Sequence, residues 1–415
     1  MKAVIITIGD EILIGQTVDT NAAWIGEQLN RIGVQVEKNI SIRDAHDAIH
    51  TAIDEAWEQA PLVIMTGGLG PTGDDITKQS LADYFNTALV FSEKVHQRVQ
   101  AFLTKRGYSM NSNNKDQAMV PEACTVIDNP LGTAPVMKFE QNGRWLFSLP
   151  GVPFEMKEIM HKEILPRVKA DFQLQPVKHK TIMTYGMPEA FLAEKLEKWE
   201  AGLPAQVSLA YLPSPKGIKI RLSVYENASE FDDKLKQAVS ELKAIIPGNV
   251  FSDSETELER VLLENLKKYG LRLATAESCT GGRIASVLTS VPGSSDVFNG
   301  SIVAYQNAVK SKLLNVPEAV IAEYGAVSEP VVKYMAEGVM KQLNADAAIA
   351  VSGIAGPGGG SPDKPVGTTW IAIALKNKVE AQRFRFGSTR DVNILRAAYS
   401  GMFLLNSVVR ETYEQ

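Results

Sequence analysis

The sequence has few cysteines and lacks the marks of a secreted or membrane protein. Among 415 residues only Cys124 and Cys279 are cysteines, so we expect neither a disulfide framework nor a cysteine-based zinc site. The N-terminus lacks the apolar segment and cleavage site of a signal peptide. No apolar run approaches the roughly 20 residues of a membrane span. We therefore expect a cytoplasmic protein without a membrane partner.

The chain also lacks an excess of positive charge. It carries 43 lysines and arginines against 48 acidic residues, a net charge of −5, whereas nucleic-acid-binding proteins usually present a basic surface. Residues 171–253 hold ten basic and eleven acidic residues and no Gly-x-x-Gly loop. We expect no nucleic-acid partner. A nucleic-acid-associated protein stays an alternative that salt-sensitive binding of single strands would support.

Histidine is scarce and unevenly placed. The chain has five histidines, and none follows His179. A Ser-His-Asp or Cys-His arrangement in the C-terminal part would therefore need a histidine from another domain or chain. For a hydrolase built there, lysine is the leading candidate for the general base.

The length predicts two or three domains. Residues 1–170 alternate strand and helix patterns, which is typical of a parallel sheet covered by helices. Residues 171–253 predict a small α+β module of order β-α-β-β-α, and residues 254–415 a second α/β domain. At the start of this last domain, Ser254-x-x-Glu257 predicts a capping box, and Ser328 is predicted to cap a later helix.

Glycine-bearing turns follow two predicted strands of the first domain, at residues 3–8 and 62–66. The carboxyl ends of such strands meet where open α/β sheets bind ligands, and glycines let main-chain N–H groups approach phosphates. Neighbouring aspartates are suited to a hard divalent ion. The alternative is a tight turn whose aspartates only cap the next helix. The predicted metal ligands are Asp74, Asp75 and Asp10. The predicted nucleotide-binding residues are Gly9, Asp10, Glu11, Thr66, Gly67, Gly68, Gly70, Thr72, Gly132 and Thr133.

The segment Thr275-Ala276-Glu277-Ser278-Cys279-Thr280-Gly281-Gly282 is the most informative in the C-terminal domain. It joins an apolar strand pattern to a helical one, so Ser278 is predicted near a helix N-terminus, where developing negative charge is favoured. Lys310 follows the next strand, and a partly desolvated lysine accepts a serine proton. Taken singly, each residue has a structural alternative. Ser278 is then only an N-cap, Lys310 a solvated surface charge, and Cys279 a small core residue.

The N-terminal motifs resemble the molybdopterin-binding domain family, with its Gly-Gly-x-Gly-x-Thr-x-Asp-Asp loop. Together with residues 7–13, 117–121 and 149–153, they resemble the CinA (competence/damage-inducible) family over essentially the whole chain. The resemblance implies a three-layer, molybdopterin-binding-like first domain and a KH-like middle module. It also implies ADP-ribose pyrophosphatase activity that yields AMP and ribose 5-phosphate with a divalent metal, Mg or Co, possibly with K. Val136 stands where relatives are expected to have glycine.

The C-terminal motifs resemble the nicotinamide-nucleotide amidase (PncC-type) domain of that family. The resemblance implies hydrolysis of nicotinamide mononucleotide (NMN) to nicotinate mononucleotide and ammonia, without a cofactor, by a homodimer. It makes Ser278 the nucleophile and Lys310 the base, with Tyr305 as orienting group. An amidase with a silent nucleotide- or pterin-binding first domain is an alternative. Arg390 lies in a turn that departs from the Gly-Asp-Arg of relatives. The implied NMN contacts are Glu277, Cys279, Thr280, Gly281, Gly282, Asn307, Ser352, Gly353, Gly356 and Arg390.

Overall fold

The computed structural model describes residues 1–73, 75–174, 177–224 and 232–414. Contacts divide the chain into two compact units. The first is made of residues 1–178, and the second of residues 179–224 together with the chain from residue 232 onward.

The first unit is a mixed sheet with helices on both faces. Its strand order is β2-β1-β3-β8-β7-β6. The first four strands are parallel to one another, β7 is antiparallel to β8, and β6 is antiparallel to β7. A separate antiparallel pair joins β4 and β5. A π-helical turn, Met160–Ile164, links α7 to α8. The elements are β1 (Lys2–Ile8), α1 (Asp10–Leu13), α2 (Thr20–Arg31), β2 (Gln35–Ile42), α3 (His46–Gln59), β3 (Leu62–Thr66), α4 (Thr77–Tyr84), β4 (Leu89–Phe91), α5 (Glu93–Thr104), α6 (Ser112–Asp116), β5 (Met119–Pro121), β6 (Thr125–Ile127), β7 (Val136–Gln141), β8 (Arg144–Leu149), α7 (Pro153–Ile159) and α8 (Leu165–Asp171).

Apolar runs account for the centre of this sheet. All five residues of β3 and six of the seven in β1 are buried, as expected for strands covered on both faces. Separate apolar clusters lie on the two faces, one including Ile25 and the other Ile53. The predicted parallel β1–β3 arrangement is confirmed. The β7–β8 hairpin was missed, although Asn142 and Gly143, both with positive φ, form the Asn-Gly turn typical of two-residue hairpins.

The middle module of the second unit has the predicted β-α-β-β-α order with one added strand. Its sheet has the order β10-β11-β9-β12. Met183 and Phe251 of this module belong to the same apolar cluster as the core of the C-terminal domain, so the two share a core. The elements are β9 (Lys178–Thr184), α9 (Glu189–Ala201), β10 (Val207–Ser214), β11 (Gly217–Val224), α10 (Asp232–Ile245) and β12 (Val250–Ser252). The sequence predicts that the third strand of this module ends at Tyr225 and that its last helix begins at Glu230, and both of these residues lie outside the described residues.

The C-terminal domain repeats the mixed-sheet plan. Its strand order is β14-β13-β15-β16-β17, parallel up to β15 and antiparallel beyond. Helix α16 is long enough and apolar enough to cross a membrane, but 61% of its most apolar stretch of 18 residues is buried inside the fold. The elements are α11 (Leu258–Lys268), β13 (Leu273–Glu277), α12 (Arg283–Thr289), β14 (Phe298–Val303), α13 (Asn307–Leu314), α14 (Glu318–Tyr324), α15 (Glu329–Gln342), β15 (Ala347–Gly353), β16 (Thr368–Leu375), β17 (Lys378–Arg385) and α16 (Arg390–Tyr413).

Of the two predicted serine caps, Ser328 takes the predicted N-cap position of α15 and Ser254 does not cap α11, and neither helix has a side-chain hydrogen bond at its cap. Helix α11 begins after Glu257 without a side-chain cap, and the Ser254 hydroxyl instead bonds to the Thr256 hydroxyl at 2.9 Å. Ser328 does occupy the N-cap position of α15, but its hydroxyl donates to the Gly325 carbonyl at 2.7 Å. In each case the serine hydroxyl forms a hydrogen bond with an oxygen in the turn before the helix instead of with a helix N–H group.

Candidate active sites

The Ser278 turn lies between the end of β13 and the start of α12. Ser278 is 8% exposed, and its N–H donates to the Val351 carbonyl of the neighbouring strand at 3.0 Å. The N-cap of α12 is Gly282, with φ of 95°, a left-handed conformation that favours glycine. Ser278 therefore stands four residues before the cap. The alternative in which this serine serves only as an N-cap is wrong.

The Glu277 carboxylate supplies the cap that Gly282 lacks. Its oxygens accept hydrogen bonds from the N–H groups of Gly282, Ile284 and Ala285 at 3.0, 3.1 and 2.9 Å. The side chain has no exposed surface. The predicted contact of Glu277 with substrate stays a prediction; in the structure its oxygens are used inside the protein.

Lys310, on α13, is buried rather than solvated. Only 1% of it is exposed. Its Nζ donates to the carbonyls of Ala304 and Tyr305 at 2.8 and 3.2 Å. The Ala304 N–H in turn donates to the Glu277 carbonyl at 2.8 Å, which links the amine to the strand end that precedes Ser278. Burial lowers the pKa of Lys310 below its ordinary value. The alternative of a surface charge is wrong.

The Cys279 thiol is poorly suited to attack. Cys279 and Lys310 are close enough to influence each other's pKa. Burial raises the pKa of Cys279 to about 12, so the thiol is neutral near pH 7 and the reactive thiolate is scarce. Its apolar neighbours include Leu273 and Ile284 of the same core cluster. This position matches the interpretation of Cys279 as a small core residue.

Residues from the glycine loop and α16 complete this end of the sheet. Arg390 donates to the Gly356 carbonyl at 2.8 Å and to the Tyr305 hydroxyl at 3.2 Å, and Tyr305 is 60% exposed. Ser352 is buried and donates to the Ala326 carbonyl at 2.7 Å, while Asn307 is exposed at the start of α13. The structure thus joins Arg390 and Tyr305 directly, whereas the Ser352 hydroxyl points into the fold.

Main-chain N–H groups at the Ser278 turn fall into two classes. Those of Gly281 and Arg283 donate to the Ser278 and Thr280 carbonyls at 3.1 and 3.0 Å. Among the described residues, neither the N–H group of Cys279 nor that of Thr280 donates to a main-chain carbonyl. This pair is available to a developing oxyanion.

The N-terminal glycine turns enclose a cavity of about 340 Å³. A β-carbon on Gly67, whose φ is 114°, would overlap the Ile8 carbonyl, so only glycine lets β1 and β3 end this close together. A second cavity of 400 Å³ adjoins the first and contains Lys78. The first cavity is lined by Ile8, Glu11, Gly67, Gly68, Leu69, Gly70, Pro71, Asp75, Gln117, Thr133, Ala134, Pro150, Gly151, Val152 and Glu155.

Side chains around this cavity hold its loops in place. Thr66 is buried and donates to the Pro150 carbonyl at 3.0 Å. Gln117 donates to the Thr133 hydroxyl at 3.0 Å. The Gly132 N–H donates to the Asn129 side chain at 3.1 Å, and Asn129 donates to Glu155 at 2.7 Å. Thr66 and the Gly132 N–H are therefore turned into the fold.

The predicted metal ligands are only partly visible. Asp74 lies outside the described residues. Asp75 accepts a hydrogen bond from the Thr72 N–H at 3.0 Å, and Asp10 is exposed on α1 without being part of the cavity lining. Over the described ranges, no three His, Cys, Asp or Glu side chains are grouped to hold a metal. Asp10 and Asp75, without the undescribed Asp74, do not form such a group.

The sequence reasoning missed Glu155 and Asn129 as site residues. Glu155 lies in the first turn of α7, and only 8% of it is exposed. It was missed because it is not itself part of a glycine-bearing turn. The signal that was available is the adjacent Leu149-Pro150-Gly151-Val152-Pro153 segment, which brings the start of α7 to the end of β8.

Comparison with family models covers nearly the whole chain. Residues 4–170 match the model described as probable molybdopterin binding domain, residues 179–252 the damage-inducible protein CinA KH domain, and residues 255–409 the CinA C-terminal domain. A CinA-like protein from Cytophaga hutchinsonii is 44% identical over 99% of this chain and 98% of its own length. The chain belongs to the CinA family.

Further relatives of this CinA family member match either the whole chain or one part of it. A CinA-like protein from Flavobacterium psychrophilum is 42% identical over the full length of both chains. The crystal structure of the competence/damage inducible protein CihA from Agrobacterium tumefaciens is 39% identical, with a TM-score of 0.35. It covers 36% of this chain and 91% of that chain. The fold is accordingly a mixed α/β one, with a molybdopterin-binding-like first domain, a KH-like middle module and the CinA C-terminal domain.

Proposed function

We propose that the C-terminal domain is an amide hydrolase that converts NMN and water to nicotinate mononucleotide and ammonia. Ser278 is the nucleophile and Lys310 the general base. The observation that carries the proposal is the double anchoring of the Lys310 amine on two main-chain carbonyls, at the strand end where the Ser278 turn begins.

Those two carbonyls would orient the lone pair of a neutral lysine. A neutral amine has two N–H donors and one lone pair, whereas an ammonium ion has three donors. The Ala304 and Tyr305 carbonyls take two donors, so the third direction carries the lone pair once the proton is lost. A base held in this way needs little reorganisation before it accepts the serine proton.

The reaction is an acyl transfer in two halves. As Ser278 Oγ bonds to the carboxamide carbon, its proton moves to Lys310, and the N–H groups of Cys279 and Thr280 receive the oxyanion. Lys310 then returns the proton to the leaving nitrogen, and ammonia departs. Water, deprotonated by Lys310, attacks the acyl-serine, and the proton returns to Ser278 Oγ as the carboxylate product leaves. The proposal requires no cofactor for these steps.

Release of ammonia and nicotinate mononucleotide from NMN tests this reaction. We expect Ser278→Ala and Lys310→Ala to lose activity by at least roughly 10³-fold. Cys279→Ala should keep it within a few-fold, because the thiol takes no part in the chemistry. A Ser278→Ala protein that retains activity, or a wild-type protein that releases no ammonia where a related amidase does, would contradict the proposal.

We infer for the N-terminal domain the binding and cleavage of ADP-ribose, yielding AMP and ribose 5-phosphate. Two features support this second function. Main-chain groups of Gly67, Gly68 and Gly70 line one cavity, as phosphate sites often do. The adjoining cavity shares Gly70 and Asp75 with it and offers Lys78, so a molecule with two parts fits better than a single nucleotide.

Asparagine variants separate a catalytic first domain from one that only binds. If Asp74 and Asp75 carry the chemistry with a divalent metal such as Mg or Co, Asp74→Asn and Asp75→Asn should each abolish AMP release from ADP-ribose. Asp83→Asn, an exposed residue on α4, serves as the control. An unchanged low rate in all three variants, with ADP-ribose still bound, would leave the domain a nucleotide- or pterin-binding one.

A homodimer, also implied by the resemblance, is tested by light scattering.

A further inference from the structure

Glu277 is a buried carboxylate held without a cation. Besides the N–H groups of α12, the hydroxyls of Thr275 and Ser301 donate to it at 3.5 and 3.4 Å. Across the described part of the chain, no lysine or arginine makes an ion pair with Glu277. Burial of a charge without an opposite charge is costly unless its oxygens are well hydrogen-bonded. A carboxylate whose burial costs free energy therefore lies next to the proposed nucleophile Ser278.

The hydrogen bonds of this carboxylate close the nucleophile loop on itself. Glu277 ends β13, and its partners Gly282, Ile284 and Ala285 begin α12. One side chain thus fastens the two ends of residues 278–281, which we call the nucleophile loop. Within it, the Gly281 N–H also donates to the Ser278 carbonyl at 3.1 Å. Motion of the nucleophile loop therefore requires that some of these hydrogen bonds break.

The charge of Glu277 argues against a direct role in stabilising the transition state. A fixed negative charge near a developing oxyanion raises the energy of that oxyanion. It also offsets the positive end of the α12 dipole. A nearby negative charge would raise the pKa of the Lys310 amine rather than lower it, so the carboxylate does not help to keep that base neutral. Its contribution must lie in geometry.

We propose that Glu277 is a positioning residue, whose carboxylate fixes the Ser278 hydroxyl and the N–H groups of Cys279 and Thr280 in one reactive arrangement. This inference rests on the proposed function of Ser278. A group that needs both carboxylate oxygens as acceptors is not replaced by its amide. In Glu277→Gln, the NH₂ group must face at least one N–H donor of α12.

The test compares Glu277→Gln with Glu259→Gln in NMN hydrolysis. Glu259 is also buried in this domain and accepts from the Tyr399 hydroxyl, but it lies on α11, away from the loop. We expect kcat of Glu277→Gln to fall about 10²-fold, as for a small displacement of a reacting group. KM should change less than two-fold and the pH midpoint should not move, while Glu259→Gln keeps the wild-type kcat.

Hydrogen exchange gives a readout that does not require NMN turnover. Exchange of the peptide covering residues 278–285 should accelerate in Glu277→Gln and not in Glu259→Gln, even if the proposed function fails for the wild type. Unchanged exchange, or a wild-type kcat in Glu277→Gln, would overturn the positioning role. A lowered kcat with a shifted pH midpoint would also overturn it, because Glu277 would then act on the base.

A milder pair of variants keeps the test decisive if Glu277→Gln does not fold. Thr275→Val and Ser301→Ala each remove one hydroxyl donor and leave the carboxylate in place. The double variant should lower kcat several-fold with an unchanged KM. A wild-type kcat in a folded double variant would contradict the proposal.

Discussion

At the scale of single residues, the most consequential feature is a lysine amine removed from water. The pKa of Lys310 is lowered by burial from its ordinary 10.5, and two carbonyls hold the amine. A general base works only in its neutral form. In the proposed role of Lys310, the lowered pKa therefore increases the fraction of protein whose base is neutral near pH 7.

This feature predicts the pH profile of NMN hydrolysis. The value of kcat/KM should rise with pH as Lys310 loses its proton, with a midpoint below 10.5, and should level off above that midpoint. Lys310→Arg keeps the charge but does not deprotonate, so it should lose roughly 10²–10⁴-fold in rate. Steady-state rates across pH for both proteins check this. A midpoint at or above 10.5 would mean that Lys310 is not the base.

The same lysine predicts how stability varies with pH. Its folded-state pKa lies below its unfolded value, so the unfolded chain binds more protons between the two values. The contribution of Lys310 is fully present above 10.5 and is lost as pH falls through the lowered pKa. The unfolding free energy of wild type minus that of Lys310→Met should therefore increase with pH in this window. Urea titrations measure it, and a flat difference would contradict the lowered pKa.

At the scale of elements, the position of Lys310 depends on how α13 packs against α15. Gly338 lies in the interior of α15, where a β-carbon would overlap the Leu314 carbonyl at the end of α13. Glycine normally weakens a helix by about 0.5–1 kcal/mol relative to alanine. Here the close approach outweighs that preference, because α13 has no room to accept a side chain.

Two glycine variants make this visible. Gly338→Ala should destabilise the protein by about 1–3 kcal/mol, as overpacking does, and should lower NMN hydrolysis by displacing Lys310. Gly26→Ala, in α2, meets only ordinary contacts at 3.8 Å or more and should be neutral or stabilising by up to about 1 kcal/mol. Denaturant unfolding distinguishes them. A Gly338→Ala protein that is more stable than wild type would contradict this prediction, because α13 would then move aside at little cost in free energy.

Periodicity predicted strands that alternate with helices, including the edge strand β2 and the central strand β3, but it missed β17 at one edge and the buried β8 next to β3. Continuous apolar runs such as residues 62–66 allow few alternatives, whereas β17, with mixed exposure, lacks a run of that kind. The Glu277 cap was equally hard to foresee. Capping patterns in sequence place the cap next to the helix, but this carboxylate reaches α12 from the end of a strand, five residues before Gly282. The motif located the nucleophile loop without explaining its glutamate.

At the scale of the whole molecule, the middle module is an integral part of the second unit. The Tyr185 hydroxyl donates to the Arg396 carbonyl of α16 at 3.2 Å and bonds to the Ser400 hydroxyl at 3.0 Å. Arg410, near the other end of α16, donates to the Val250 carbonyl at 3.1 Å. With Met183 and Phe251 in the common apolar cluster, the module and the C-terminal domain should unfold together.

Removal of one hydroxyl tests this coupling. Tyr185→Phe should lower the free energy of unfolding by about 1 kcal/mol and keep a single transition for the second unit. Tyr211→Phe, whose exposed hydroxyl reaches Glu200 at 3.4 Å, should change it by less than about 0.5 kcal/mol. Calorimetry checks both. Equal effects in the two variants, or separate transitions for module and domain, would mean that the docking is weak.

The buried state of Cys279 also has a consequence for redox chemistry. Burial raises the pKa of Cys279 and of Cys124 to about 12, and peroxides and alkylating agents react with the thiolate. Both thiols should therefore survive hydrogen peroxide and iodoacetamide. Because these are the only two cysteines of the chain, the proposed hydrolysis at Ser278 should continue under oxidative stress that inactivates thiol-dependent enzymes.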